Sequence, residues 1–366
     1  MRKGLRNWLY SAALLGFSYN TQAEMLIGIA GPMTGQYAAF GEQFRQGADM
    51  AVADINAQGG ILGEKIKLEA ADDACDPKQA VAVANQLANK HVAFVIGHFC
   101  SGSSIPASEV YRDEGVLQIS PASTNPLFTE RGLKNVFRIC GRDDQQGGVA
   151  GEYIVKHFKN VPVAILHDKT AYGKGLAEET RKAMNSRGKQ EAMFEAYTAG
   201  EKDYSSIVSR MKAANVGLIY LGGYHTEGGL IVRQARQQGL NAVLMGGDAL
   251  VTNEYWSITG PAGEGTLMTF SPDASKEPQA KPIVDRFLAK GYKPEGYTLN
   301  SYATLQIFKQ AATKAGKVDL NMLTKILHAE EFDTVVGKIR FDAKGDVQGP
   351  GYVVYQWSNG NYEYAK

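Results

Sequence analysis

The sequence predicts an α/β protein of two doubly wound lobes with parallel sheets, and three observations predict it. Short apolar runs alternate with amphipathic stretches along the chain, the order of repeated βαβ units. The runs are apolar at successive positions, as in strands buried on both faces. The alternation stops at the polar segment "CGRDDQQGG", residues 140–148, and then begins again. A chain of 366 residues has room for two such units.

The elements follow in order. "MLIGIAG" at Met25 to Gly31 is the first strand. A helix is expected from Gly41 to Gln58, with Phe44, Ala48, Ala51, Val52 and Ile55 at helical spacing and "QGG" stopping it. Then come the strand "KIKLEA", a helix through "PKQAVAVANQLANK" with Asp76 as its cap, the strand "AFVIG", a short helix through "IPASEVYRDE" and the strand "VLQIS". The second unit opens with a helix at Gly148 to Phe158 and the strand "VAILHD". A helix after Tyr172, "EAMFEAYT", "YSSIVSRMKAA", "GLIYLGG", "GGLIVRQARQQ", "AVLMGGD" and "GTLMTF" continue it. Helices at Lys281 to Lys290 and Leu299 to Ala315 come next, and "GYVVYQW" is a last strand. No low-complexity linker separates the units, so the crossings are short and suit a hinge.

Residues 1–23 read as a secretory signal. Arg2, Lys3 and Arg6 precede the apolar "WLYSAALLGF", and Thr21 and Ala23 stand three and one before the expected cut. The apolar stretch falls short of the roughly 20 residues that span a bilayer. Removing three bases takes the formal charge from +1 to −2, which gives no basis for binding nucleic acid or an anionic membrane. Export permits a disulfide among Cys75, Cys100 and Cys140. Cys75 and Cys100 both follow strands and could meet on one rim, but spacing alone leaves all three pairings open. Paired Cys or His ligands are missing, so no metal and no cofactor is expected.

Ligands of open α/β sheets bind beyond the carboxyl ends of strands. The segments there carry Ser101, Thr124, Tyr172, Tyr224 and Asp248. Hydroxyls and backbone amides donate to a carboxylate, Asp248 suits an ammonium, and the tyrosines offer flat walls. Together they describe a site for a zwitterionic amino acid. Competing readings are weaker. Ser101 as a nucleophile lacks the first glycine of G-x-S-x-G and an identifiable base. His98, His167 and His225 lack ligand spacing and read as rim or packing residues bonded to backbone. Asp72, Asp73 and Asp76 lack the spacing of a calcium loop. "GQYAAFGEQ" lacks the Lys-Ser/Thr of a phosphate loop.

The motifs "ADINAQGGILG", "DDACDPKQAVAVANQLAN", "VIGHFCSGSS", "PAST", "LHDKTAYGKGLA", "TAGEKDYSSIV", "GGYHTEGG" and "RQARQQGL" closely resemble the leucine/isoleucine/valine-binding proteins. These are periplasmic receptors of branched-chain amino-acid ABC transporters, and the resemblance runs through the mature chain in order. It implies the type I periplasmic binding protein fold, with 24–141 and 272–351 in lobe one and 142–271 and 352–366 in lobe two. It implies that Ser101, Thr124 and the backbone of Ala122 hold the ligand, that Phe99, Tyr172 and Tyr224 wall it, and that Phe40 and Tyr297 lie at the pocket. Asp248 stands where leucine-type members have a glutamate, and Phe40 where they have a tyrosine. Leucine specificity is therefore not assumed, and other small neutral amino acids or γ-aminobutyrate come into view. The resemblance also implies a Cys75–Cys100 bridge. Its implied setting is a periplasmic monomer that captures a free amino acid, performs no catalysis and delivers its cargo to an inner-membrane ABC permease. A sensor presenting the amino acid to a chemoreceptor or sensor kinase would share this pocket.

Overall fold

The computed structural model describes residues 24–349 and 351–365. The expected signal segment lies outside the described residues. Among them, no helix is long and apolar enough to cross a membrane.

Five parallel strands make the first sheet: β1 (Glu24–Gly31), β2 (Lys65–Asp72), β3 (Phe94–Ile96), β4 (Leu117–Ser120) and β5 (Val136–Arg138), in the order β2-β1-β3-β4-β5. The order reverses between β1 and β3, which opens a crevice at their carboxyl ends. The second sheet begins with parallel strands β6 (Val163–His167), β7 (Met193–Ala196), β8 (Leu218–Gly222), β9 (Val243–Gly246) and β10 (Leu267–Phe270). A small hairpin of β11 (Phe332–Thr334) and β12 (Gly337–Ile339) follows. The strands β13 (Val353–Ser358) and β14 (Asn361–Tyr364) then join β10 in antiparallel fashion and complete the order β14-β13-β10-β9-β8-β6-β7.

The apolar runs form strands because both faces are covered. Every residue of β3, β4, β6 and β8 is buried. Helix Ala38–Ala57 packs against Thr298–Ala315, which the chain contributes only after the second sheet's parallel strands. Their backbones approach closely at Gly47, where an added Cβ would lie 2.1 Å from the Thr298 carbonyl oxygen. Ser301 donates to the Phe44 carbonyl at 2.7 Å across the same contact, and Asp54 ties the pair by accepting from Tyr302 at 2.6 Å.

Helix limits differ from expectation mainly at their starts. The first helix begins at Ala38 because a 3₁₀ turn, Gly35–Tyr37, leads into it. The helix expected from Ile105 begins at Ser101, so the hydroxyl cluster is its first turn. Asp76 caps Pro77–Asn89, accepting from the amides of Lys78 and Gln79 at 2.9 and 2.8 Å. The amphipathic helix Leu320–Ala329, capped by Asp319, extends the predicted set.

Cys75 and Cys100 form a disulfide with their Cα atoms 5.5 Å apart. Cys140 is free and buried.

Candidate functional site

Strand ends deliver the side chains. Beyond β3 lie Phe99 and Ser101, beyond β4 Ala122 and Thr124, beyond β6 Tyr172, beyond β8 Tyr224 and beyond β9 Asp248. Six of the nine expected residues converge on one small cavity: Phe99, Ser101, Ala122, Tyr172, Tyr224 and Asp248, with Ala249 as the seventh wall. The other three stand one layer back. Phe40 stacks on Phe99 with ring centroids 4.2 Å apart. Tyr297 donates its hydroxyl to Asp248 Oδ2. Thr124 turns toward Asp143, whose amide donates to the Thr124 carbonyl at 2.9 Å.

The first sheet contributes fixed polar turns. Ser120 Oγ accepts from the amides of Ala122 and Ser123 at 3.2 and 2.9 Å and itself donates to the His98 carbonyl at 2.8 Å. Ser104 donates to the same carbonyl at 3.1 Å, so it holds the turn and does not face the cavity. Ser101 Oγ accepts from the Asn125 amide at 3.2 Å and keeps a proton to give. It is also the first residue of a 13-residue helix, whose amino end favours an anion.

The second sheet contributes the acid. Asp248 is 3% exposed. Its Oδ1 accepts from the Tyr172 hydroxyl at 2.8 Å and from Gln146 Nε2 at 3.0 Å. Burial pushes this carboxyl upward, and the bonds from Tyr297, Gln146 and Tyr172 hold it back. Gln146 was not among the residues expected at the site. It lies in helix Asp143–His157, inside the polar segment that marks the restart of the fold.

An aromatic wall closes the cavity: Tyr224 lies 5.1 Å from Tyr172 and 4.4 Å from Tyr37, centroid to centroid. Polar contacts cross the cleft around it. Gln36 donates to Glu227 at 3.0 Å, Thr226 to the Gln36 carbonyl at 3.1 Å, and Asn125 to the Ala171 carbonyl at 2.7 Å. Glu295 accepts from the Thr252 hydroxyl at 3.0 Å and the Asn253 amide at 2.9 Å.

The histidines take side-chain partners more than the expected backbone ones. His98 is wholly buried between Asp73 at 2.5 Å and Tyr111 at 3.0 Å, and His225 pairs with Glu254 at 3.0 Å. His167 accepts from the Lys169 amide at 3.2 Å. Asp72 and Asp73 accept backbone amides in their own loop. No group of acid, histidine and cysteine side chains among the described residues is arranged to hold a metal ion.

Asp168, beside the wall, gives a pH signature. Burial pushes its carboxyl from 3.8 up to about 6, opposed by Thr170 and reinforced by the charge of Glu227. Between those values the folded protein holds a proton that the unfolded chain has lost. Stability therefore falls as pH rises through this window, by roughly 3 kcal/mol in all. Urea unfolding of the wild type is expected to show this decline between about pH 4 and 6, and Asp168→Asn to remove most of it. Parallel profiles for the two proteins would contradict the assignment.

A family model described as periplasmic binding protein matches residues 24–361. A Leu/Ile/Val-binding protein homolog 1 from Brucella suis is 48% identical over 368 residues, covering 100% of this chain and 99% of the relative. Among solved structures, a leucine binding protein, LivK, from Thermotoga maritima superposes with a TM-score of 0.87 at 28% identity, covering 93% of this chain and 98% of that one. The branched-chain amino acid transporter substrate binding protein LivJ from Streptococcus pneumoniae, in complex with isoleucine, gives 0.84 at 26% identity, covering 93% and 98%.

Proposed function

Because the chain belongs to the periplasmic binding protein family, whose members bind and do not catalyse, we propose that it is the substrate-binding component of an amino-acid ABC transporter. Its cargo is a neutral amino acid, branched-chain or otherwise small and aliphatic. One observation carries this reading. A buried acid from one sheet faces hydroxyl and amide donors from the other across a single small cavity. Ser101, the Ala122 turn and the helix amino end receive the α-carboxylate. Asp248 receives the ammonium, and Phe99, Tyr172 and Tyr224 enclose the side chain. Thr124, Phe40 and Tyr297 support these groups from behind.

The carboxylate of Asp248 is one methylene shorter than glutamate, and Phe40 brings no hydroxyl. Both favour a range of small ligands, γ-aminobutyrate included. Segments 24–141 and 272–351 act as one lobe, and 142–271 with 352–366 as the other. Cargo touching both lobes binds the closed form best and so drives closure. Released from its signal into the periplasm, the protein works as a monomer, engages no nucleic acid, and hands its cargo to an inner-membrane permease.

A thermal-shift screen of the standard amino acids and γ-aminobutyrate, on protein refolded to strip carried ligand, tests the reading. Leucine, isoleucine or valine at about 100 times its Kd is expected to add roughly 2.7 kcal/mol of stability. Stabilisation by none of the amino acids would overturn it.

A further inference from the structure

Asp143 is wholly buried, and neither carboxylate oxygen has a hydrogen-bond partner. Its surroundings explain why. The hydroxyls of Tyr172 and Tyr297 and the amide of Gln146 are taken by Asp248, which leaves the Thr124 hydroxyl as the nearby donor that opposes the burial of Asp143. Arg138, the cation that offsets the burial of Asp143, directs its guanidinium to Asp346 at 2.6 Å and to the Ser123 carbonyl at 2.6 Å. The remaining charged neighbour, Asp144, is paired with Arg142 at 2.8 Å. Cys140, Tyr172, Tyr220, Tyr224 and Tyr352 also feel the Asp143 charge, and none of them is a cation.

A buried carboxylate with so few donors is costly, whereas a carboxylic acid needs only an acceptor for its one proton. Two buried acceptors lie unpartnered in this region, Thr124 Oγ1 and Gln146 Oε1. Thr124 is close enough to temper the strong upward push on the Asp143 carboxyl, which burial causes first and the charge of Asp248 second.

We infer that Asp143 is held as a neutral acid, and that its proton fixes the pocket's charge to that of Asp248 alone and so selects net-neutral over basic amino acids. The inference rests on the reading of Asp248 as the ammonium partner. A neutral amino acid brings one ammonium for Asp248 and one carboxylate for the donors around Ser101. With both acids ionised, a second negative charge would be left over and would favour a cargo with a second cation, such as lysine. Asp143 is thus a positioning and specificity residue that need not touch the cargo.

Infrared spectroscopy and calorimetry on the full chain test this. Wild type at neutral pH is expected to show the C=O stretch of a protonated carboxyl that Asp143→Asn lacks. Asp143→Leu supplies the same subtraction if the asparagine variant does not fold. Asp143→Asn, which copies the neutral acid, is expected to bind leucine within about threefold of wild type and to keep rejecting lysine. Absence of the band, or a loss of more than about tenfold in folded Asp143→Asn, would overturn the inference. If leucine binds neither protein, the ammonium reading fails, and the infrared band still decides whether Asp143 carries the proton.

Discussion

Asp248→Ala is expected to lose amino-acid affinity by roughly 30-fold to several thousand-fold, the cost of about 2–5 kcal/mol for removing one partner of a buried charge pair. The loss has two parts. On the proposed binding mode the ammonium gives up its anionic contact, the hydroxyls of Tyr172 and Tyr297 lose their acceptor, and the Gln146 amide keeps only the Thr269 carbonyl. The fold is expected to survive, because Asp248 sits in a short turn beyond β9 and in no sheet register. Calorimetry on the refolded variant, with circular dichroism as the control for folding, measures the loss. Unchanged affinity in a folded variant would remove Asp248 from the site.

Removing the Cys75–Cys100 bridge is expected to cost about 3 kcal/mol and to lower Tm by roughly 5–10 °C. The bridge spans a sequence separation of 25 and ties the loop after β2 to the residue just before Ser101. Ala74 and Cys75 both adopt positive φ, at 47° and 56°, a conformation that L-residues hold only when their surroundings enforce it. Thermal unfolding of oxidised wild type against Cys75→Ser/Cys100→Ser measures the effect. Equal Tm values would mean that the hydrogen bonds of Asp72 and Asp73 hold the loop by themselves.

The strands were legible because both faces are buried. A run such as "VAIL" has no polar position to obscure it, and it forms the body of β6 as read. The β11–β12 hairpin and β14 were not, because they are short and half-exposed and offer little hydrophobic contrast, and β5 was missed although buried, because three residues ending in an arginine make no apolar run. Phe99 and Ala122 came from the family resemblance, and four pocket residues, Ser101, Tyr172, Tyr224 and Asp248, were legible because topology places functional groups at strand ends. Asp143 and Gln146 were not. In "RDDQQ" each residue looks solvated, and only the packing of helix Asp143–His157 under the cleft decides which are buried. The partnership of His98 with Asp73 was hidden for the same reason, since it joins residues 25 apart through the tertiary fold.

The contacts that Glu295, Gln36 and Asn125 make across the cleft act as a dial that cargo never touches. On the closure proposed above, they favour the closed arrangement whether or not the cavity is filled. Apparent affinity is the intrinsic affinity of the closed form scaled by the fraction of empty molecules already closed. Strengthening or weakening these rim contacts therefore multiplies the affinity for every ligand by one common factor. The ratio between two ligands stays where the cavity walls put it. How tightly the protein scavenges and how well it discriminates are thus set by different residues, and each can drift without disturbing the other.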